Sequence, residues 1–121
     1  MKTFKINDKI VYFGSNAREN SHLVSVFQKQ HEDATWFHLT NRSSSHGFYL
    51  SEDSLSNIEI NVIGNILLSL SNENGKNNKI TICPLRYVKT TKTPGLVNIS
   101  NEKNKRIHKI NNFNASDYLI V

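Results

Sequence analysis

Two segments of the chain place hydrophobic side chains three and four positions apart, which is the spacing of one helix face. The first covers residues 17–29 and follows Asn16, a residue that commonly caps the start of a helix. The second covers residues 57–70 and follows Ser56, which begins a capping-box sequence. The pattern therefore predicts two helices, over 17–29 and 57–70.

Shorter runs of β-branched, aromatic and other apolar residues alternate with polar ones, which is typical of strands. Turn-forming pairs such as Asn7-Asp8 and Pro94-Gly95 separate these runs. The predicted strands cover residues 4–6, 9–13, 35–39, 46–50, 79–83, 96–99 and 106–110. Residues 118–121 form either a last strand or a tail that docks on a partner. Because strands and helices do not alternate strictly, we expect an α+β fold, with a mixed β-sheet and two main helices in a single compact domain.

The length of the chain, 121 residues, fits one domain. We expect a core over residues 5–110 and a C-terminal tail over residues 111–121. The longest apolar run, residues 66–68, is far too short to span a membrane, and no secretory signal pattern is visible. The single cysteine, Cys83, excludes an internal disulfide framework and a multi-cysteine zinc module. These features predict a cytoplasmic protein that does not act at a membrane.

Positive charge is concentrated in one part of the chain. Residues 1–75 hold six basic and eight acidic side chains, whereas residues 76–110 hold nine basic side chains and a single acidic one, Glu102. A segment with such a charge bias is typical of proteins that bind a polyanion such as RNA. The alternative is a solvated basic surface that only aids solubility.

The first cluster of candidate residues lies where a predicted strand gives way to the first helix. Gly14 ends the strand, and a turn that needs a positive φ would favour glycine there. Asn16 caps the helix with Glu19 as its capping-box partner, and Asn20 ties down the loop. Arg18 and the free N–H groups of the first turn suit a phosphate group. The alternative is that Asn16 only caps the helix.

The second cluster consists of His38 on one predicted strand and Ser44-Ser45-His46 at the start of the next. If these strands pair, the two imidazoles lie close together. They could then act as acid and base in RNA cleavage, contact RNA, or bind a metal. A metal would need a third ligand, which Cys83 would supply only if the fold happened to place it there. The alternative is that both histidines are structural residues that bridge a strand and a loop.

The third cluster interleaves cations with hydroxyl and aromatic side chains between Arg86 and Gly95. Lys89, Lys92 and Arg86 can neutralise phosphates, the threonines can donate to phosphate oxygens, and Tyr87 can stack on a base. A solvated loop is the alternative. Trp36, in contrast, is expected in the core. Adjacent strand residues point to opposite faces, so only one of Trp36 and Phe37 is expected to face the core.

The order of these motifs resembles the NFACT-R domain family over residues 5–110. The matching motifs are Gly14-Ser15-Asn16-Ala17-Arg18-Glu19-Asn20, Leu23-Val24, Trp36-Phe37-His38 and Ser44-Ser45-His46-Gly47, followed by Lys79–Cys83, Lys89–Lys92, Pro94-Gly95 and Leu96-Val97. The pairs Glu19-Asn20 and Phe37-His38 are most similar to small stand-alone members such as coiled-coil domain-containing protein 25, without their coiled-coil tail. Ser15 departs from the pattern, which usually has a basic residue at this place.

The resemblance implies a non-enzymatic RNA-binding module that acts on the ribosome, through rRNA or tRNA, in ribosome quality control or the regulation of translation. The larger members of the family are ribosome quality control factors and bacterial proteins once named fibronectin-binding proteins. We expect no cofactor, no metal and no small-molecule substrate.

These observations combine into one main hypothesis and two alternatives. The expected RNA contacts are Arg18, His46, Arg86, Lys89 and Lys92. The residues expected to organise the loops are Gly14, Asn16, Glu19, Asn20, His38 and Ser45. The first alternative is an adaptor that docks on a ribosomal protein or another partner through its C-terminal tail. The second is a small ribonuclease that uses His38 and His46 as its acid and base.

Overall fold

The structure, a computed structural model, describes residues 1–71 and 78–111 and the backbone of residues 119–120. Its helices are α1 (Ala17–Gln30) and α2 (Asn57–Leu70). Its strands are β1 (Lys2–Ile6), β2 (Lys9–Phe13), β3 (Thr35–Leu39), β4 (Gly47–Tyr49), β5 (Lys79–Pro84), β6 (Val88–Thr90), β7 (Val97–Ile99), β8 (Arg106–Lys109) and β9 (Leu119–Ile120). Short 3₁₀ turns cover Leu85–Tyr87 and Glu102–Asn104.

The strands form one large sheet in the order β8-β5-β3-β4-β2-β1-β9, and β6 pairs with β7 in a separate two-stranded sheet. The α+β class, the two helices and the single compact domain are confirmed. The expected mixed sheet differs in one respect, because every pairing between the described strands is antiparallel. The reason is that α1 links β2 to β3 and α2 links β4 to β5, and in each case one strand is inserted between the two that the helix joins.

The two helices begin at the predicted caps. The Asn16 side chain accepts a hydrogen bond from the Glu19 N–H at 2.8 Å. The Glu19 carboxylate accepts from the Ser15 N–H at 2.9 Å, one residue before the cap, so the predicted capping box at α1 is displaced by one position. At α2 the box is complete, since Ser56 and Glu59 each accept from the backbone N–H of the other. These bonds satisfy donors that a helix leaves free at its start.

Each face of the large sheet packs against one helix. Leu23 and Phe27 of α1 cover Trp36 and Phe48 on one face, where the ring centroids of Phe27 and Phe48 lie 5.3 Å apart. Side chains of α2 cover Phe37 and other residues on the opposite face. The expectation that only one of Trp36 and Phe37 faces a core is therefore wrong, because a core lies on both sides and both residues are buried.

The start of α2 is fastened to the β1–β2 hairpin through Glu59. Its carboxylate accepts hydrogen bonds from Lys9 Nζ at 2.7 Å and from Asn7 Nδ2 at 3.2 Å. Burial by itself would raise the pKa of Glu59, but the bonds from Lys9, the Ser56 N–H and Asn7 outweigh it and hold the pKa at about 2. Asn7 adopts φ +55°, which asparagine tolerates in the tight turn predicted at Asn7-Asp8.

Two strands, β6 and β9, lie where the sequence predicts a loop and either a strand or a tail. The basic loop after β5 contains a strand, β6, that pairs with β7 in the register Val88↔Ile99. This strand has two exposed polar residues out of three and therefore lacks a recognisable alternation. At the other end, β9 pairs with β1, so that the last-strand alternative holds for Leu119–Ile120. Residues 112–118 and 121, the rest of the predicted tail, lie outside the described residues.

No helix in residues 1–71 and 78–111 is long and apolar enough to cross a membrane.

Candidate functional site

Three segments that the sequence singled out separately meet at the amino end of α1. They are the first turn of α1, the segment from the end of β3 to the start of β4, and the Pro94-Gly95 turn before β7. Together they border an open cleft of about 690 Å³. The fold thus brings a part of each candidate cluster to one site, although the lining residues Ser15 and Leu96 lie 81 positions apart in the chain.

His46 is the residue that holds these segments together. Its ring is 1% exposed, Nδ1 accepts from the Trp36 Nε1–H at 3.0 Å, and Nε2 donates to the Gly95 carbonyl at 3.0 Å. Its backbone N–H donates to Asn20 Oδ1 at 3.3 Å. Because the indole can only donate and the carbonyl can only accept, the proton of the neutral imidazole is on Nε2.

The pKa of His46 falls to about 4, mainly because burial disfavours the imidazolium and also because His38 is close, while the bond to Gly95 acts in the opposite direction. Both ring nitrogens are occupied within the protein. The expectation that His46 contacts RNA directly is therefore wrong. Its role is structural: from a buried position, it holds the segments around the cleft together through hydrogen bonds.

His38 lies beside His46 in a T-shaped arrangement, with ring centroids 5.0 Å apart, as expected if β3 and β4 pair. Its other neighbour is Trp36, whose ring is nearly parallel to it at 13° and 5.5 Å. Nδ1 lies 2.6 Å from the Leu39 carbonyl and donates to it, since a carbonyl only accepts. Burial lowers the pKa of His38, partly offset by this bond. His38 is thus held neutral, with Nε2 as an acceptor.

The two histidines do not form the acid–base pair that the ribonuclease alternative needs, because neither nitrogen of His46 is available to a substrate. Cys83 is buried, and burial raises the pKa of its thiol to about 11. In the part of the chain that the structure describes, no three His, Cys, Asp or Glu side chains are grouped so that they could hold a metal ion.

Gly14 is placed where expected, but for a different reason. Its N–H donates to the His46 carbonyl at 3.1 Å, so that it joins the start of the helix to β4. Its φ is not in the left-handed region. A Cβ at this position would lie 1.8 Å from Asn20 Oδ1. Glycine is therefore required by the close approach of the buried Asn20 side chain, and the expected requirement for a positive φ is wrong.

The Pro94-Gly95 turn is fastened directly onto α1. Gly95 has φ +81°, its N–H donates to Ser21 Oγ at 2.7 Å, and a Cβ there would lie 2.9 Å from the Ala17 Cβ. The sequence predicted this turn but not its contact with α1. The spacing of Ala17 and Ser21, one turn apart with small side chains, is a signal for such a close approach.

The loop between β3 and β4 forms another wall of the cleft. Ser44 Oγ accepts from the Leu39 N–H at 3.0 Å and donates to the Ser45 carbonyl at 2.9 Å, so the expected organising role of Ser45 is played by its backbone. Asn41 adopts φ +57°, and Arg42 is half-buried. Both line the cleft. Their sequence context does not mark them, because a short polar loop has no periodicity that distinguishes individual residues.

The predicted cationic contacts are not all brought together. Gln28 donates to the carbonyls of Leu85 and Val88, both at 2.7 Å, so the chain after β5 runs alongside α1 from its last turn toward Gly95 at its first. Gln28 and Ser21 are seven residues apart, so their positions along the helix axis differ by about 10 Å. Arg86, with its guanidinium 4.8 Å from the Tyr87 ring centroid, therefore lies at the far end.

The remaining cations lie closer to the cleft or on the way to it. Arg18 is exposed on the first turn of α1, next to Ala17, which lines the cleft. Lys92 is exposed two residues before Pro94, another lining residue. Lys89 is exposed on β6, between Lys92 and Arg86 along the chain. The segment from Arg86 to Lys92 runs alongside α1 toward Gly95, which contacts the amino end of α1 near Arg18. We refer to Arg18, Arg86, Lys89 and Lys92 together as the basic strip.

Comparison with known proteins gives a fold and no family. No protein-family model matches the chain, and no curated protein shows significant sequence similarity to it. Among solved structures, the chain is similar to the C-terminal part of the fibronectin/fibrinogen-binding protein from Streptococcus suis, with a TM-score of 0.72 and 14% identity. The similarity covers 90% of this chain and 44% of that chain. At this level of identity, the two chains share a fold and nothing further follows.

Proposed function

We propose that this protein binds RNA through the cleft at the amino end of α1 and the adjoining basic strip, without catalysing a reaction. The observation that supports this proposal is the meeting of three sequence motifs at one open cleft, held by the His46 hydrogen bonds. The NFACT-R resemblance extends the proposal to a cytoplasmic protein that associates with ribosomes by contacting rRNA or tRNA.

Charge supports a polyanionic ligand. Arg18, Lys89 and Lys92 are exposed, and the described structure gives none of them a carboxylate partner. By contrast, the acidic residue of the basic segment, Glu102, forms an ion pair with Lys105. Exposed lysines and arginines on one strip neutralise successive phosphates and release the counterions that condense on RNA.

Replacement of the strip lysines tests this proposal. We expect the Lys89→Glu, Lys92→Glu double variant to bind RNA or ribosomes at least tenfold more weakly, because two phosphate contacts are lost and two repulsive charges are added, together worth more than about 1.4 kcal/mol. The matched control is Lys5→Glu, compared with Lys92→Glu alone, because Lys5 is exposed on β1 and pairs with Ile10 rather than with the end of β2 that leads into α1. Binding is measured by fluorescence anisotropy over a salt titration.

The outcomes separate the three functions. A steep fall of affinity with salt, greater sensitivity of the strip variant than of the control, and intact labelled RNA after incubation support the proposal. Ribosome co-sedimentation that is insensitive to salt and to the strip variant would favour the adaptor. Metal-independent cleavage of the RNA that disappears in a folded His38→Ala variant would establish a ribonuclease.

A further inference from the structure

A second cleft, of about 380 Å³, adjoins the first. The two share five lining residues, namely His38, Asn41, Arg42, Gly95 and Leu96. We refer to them together as the paired clefts. Two of the shared residues offer surfaces that suit a flat ligand: His38 has a half-buried aromatic ring, and Leu96 is an apolar side chain that is 56% exposed. An exposed leucine at the mouth of a cleft lined by serines and asparagines needs an explanation that packing does not provide.

The ring of His38 is immobilised on one side. Trp36 stacks against it, His46 contacts it edge-on, and the Leu39 carbonyl holds Nδ1. No hydrogen bond from the described residues engages Nε2. The result is a fixed, neutral imidazole that borders both clefts and offers an acceptor. Aromatic rings held in this way are what RNA-binding proteins use to stack unpaired bases, with hydrogen bonds at the base edge.

The concave shape selects against a duplex. Double-stranded RNA is bound on its outer surface, across the shallow groove, and its bases are stacked within the helix. A single nucleotide turned out of a strand can enter a cleft of this size, which lies within the usual range for ligand pockets. We propose that the paired clefts hold one unpaired RNA nucleotide, with its base packed between the His38 ring and the Leu96 side chain and its backbone passing toward Arg18 and Lys92. This inference rests on the proposed RNA binding.

The test compares a fully paired RNA stem with the same stem carrying one bulged nucleotide, both followed by fluorescence anisotropy. We expect the bulged RNA to bind more tightly. Loss of a stacking partner should weaken its binding about five- to tenfold in Leu96→Ala and in His38→Ala, and should leave binding of the paired stem unchanged. The His38→Phe variant keeps a flat ring and should retain most of the affinity.

Matched controls exist on the same fold. Ile58→Ala removes an apolar side chain that is 61% exposed on α2, and His31→Ala removes a half-buried imidazole at the other end of α1. Neither should alter the preference for the bulged RNA. Because Leu96 is exposed, its variant tests the inference even if His38→Ala fails to fold.

The failures of the two proposals are distinguishable. If neither RNA binds, the proposed function is overturned. If both RNAs bind equally well and Leu96→Ala changes neither, RNA binding stands and the nucleotide site is overturned. Adenosine and uridine 5′-monophosphate serve as competitors. Displacement of the bulged RNA by either at comparable concentration would assign the paired clefts to a free nucleotide and overturn the RNA nucleotide as their occupant.

Discussion

The close approach of Gly14 and Asn20 predicts that a larger residue at position 14 lowers the free energy of unfolding. A Cβ at position 14 would lie 1.8 Å from Asn20 Oδ1 and 2.8 Å from its Cγ, both far inside van der Waals distance. In Gly14→Ala, the Asn20 side chain must therefore turn away or the start of α1 must move. Asn20 is 5% exposed, and its Oδ1 is the acceptor of the His46 N–H, so neither adjustment is free of cost.

The magnitude follows from two contributions. A buried N–H that loses its acceptor costs about 1–3 kcal/mol, and forcing an extra methyl group into a packed site costs about 1–3 kcal/mol. The His46–Asn20 bond is long, at 3.3 Å, which places the first contribution at the low end. We expect Gly14→Ala to lower the free energy of unfolding by about 2–4 kcal/mol, which corresponds to a fall in Tm of roughly 10 °C for a domain of this size.

A double-mutant cycle with Asn20→Ala tests the cause. Without the amide group, the new Cβ meets mainly the Asn20 Cα at 3.2 Å, so Gly14→Ala should cost well under about 1 kcal/mol in this background. Urea denaturation followed by Trp36 fluorescence measures all four proteins. Equal costs in the two backgrounds would refute the overlap as the cause. So would a Gly14→Asn variant that is more stable than Gly14→Ala, because asparagine is larger but tolerates a positive φ better.

Two further predictions concern His46 and the first turn of α1. The pKa of His46 is lowered from 6.5 to about 4, so the folded state binds fewer protons than the unfolded state. The free energy of unfolding should therefore be highest above about pH 6.5 and fall by up to about 3 kcal/mol as the pH approaches 4. Urea denaturation that shows constant stability between these pH values would contradict this prediction. Asn16→Ala should lower the free energy of unfolding by about 0.5–2 kcal/mol, because a helix donor loses its partner. Arg18→Ala removes a cation from the positive end of the helix dipole, so it should leave stability unchanged or slightly raised while it weakens RNA binding. Denaturant melts paired with RNA titrations measure both variants, and a destabilised Arg18→Ala with normal RNA affinity would make Arg18 structural.

Local patterns were sufficient to locate the elements that depend on near neighbours. The predicted helix over 57–70 has the bounds that the structure shows, and the helix over 17–29 differs at its ends by one residue at most. Their caps, Asn16 and Ser56, also act as predicted. Helix periodicity and capping involve residues within four positions of one another, so the sequence displays them directly. Strand β6 escaped prediction because two of its three residues are exposed and polar, so that its sequence lacks the alternation of a strand.

Tertiary structure decided which of the candidate residues face a ligand. From the sequence, His46 could be a contact, a catalyst or a support. The structure decides between these roles, because Trp36 and Gly95 occupy its two ring nitrogens. Arg86 belonged to the same basic segment as Lys92, but the course of the chain along α1 separates them. The physical reason is that burial and hydrogen-bond partners arise from residues distant in the chain, whereas residue type and spacing describe only what each side chain is able to do.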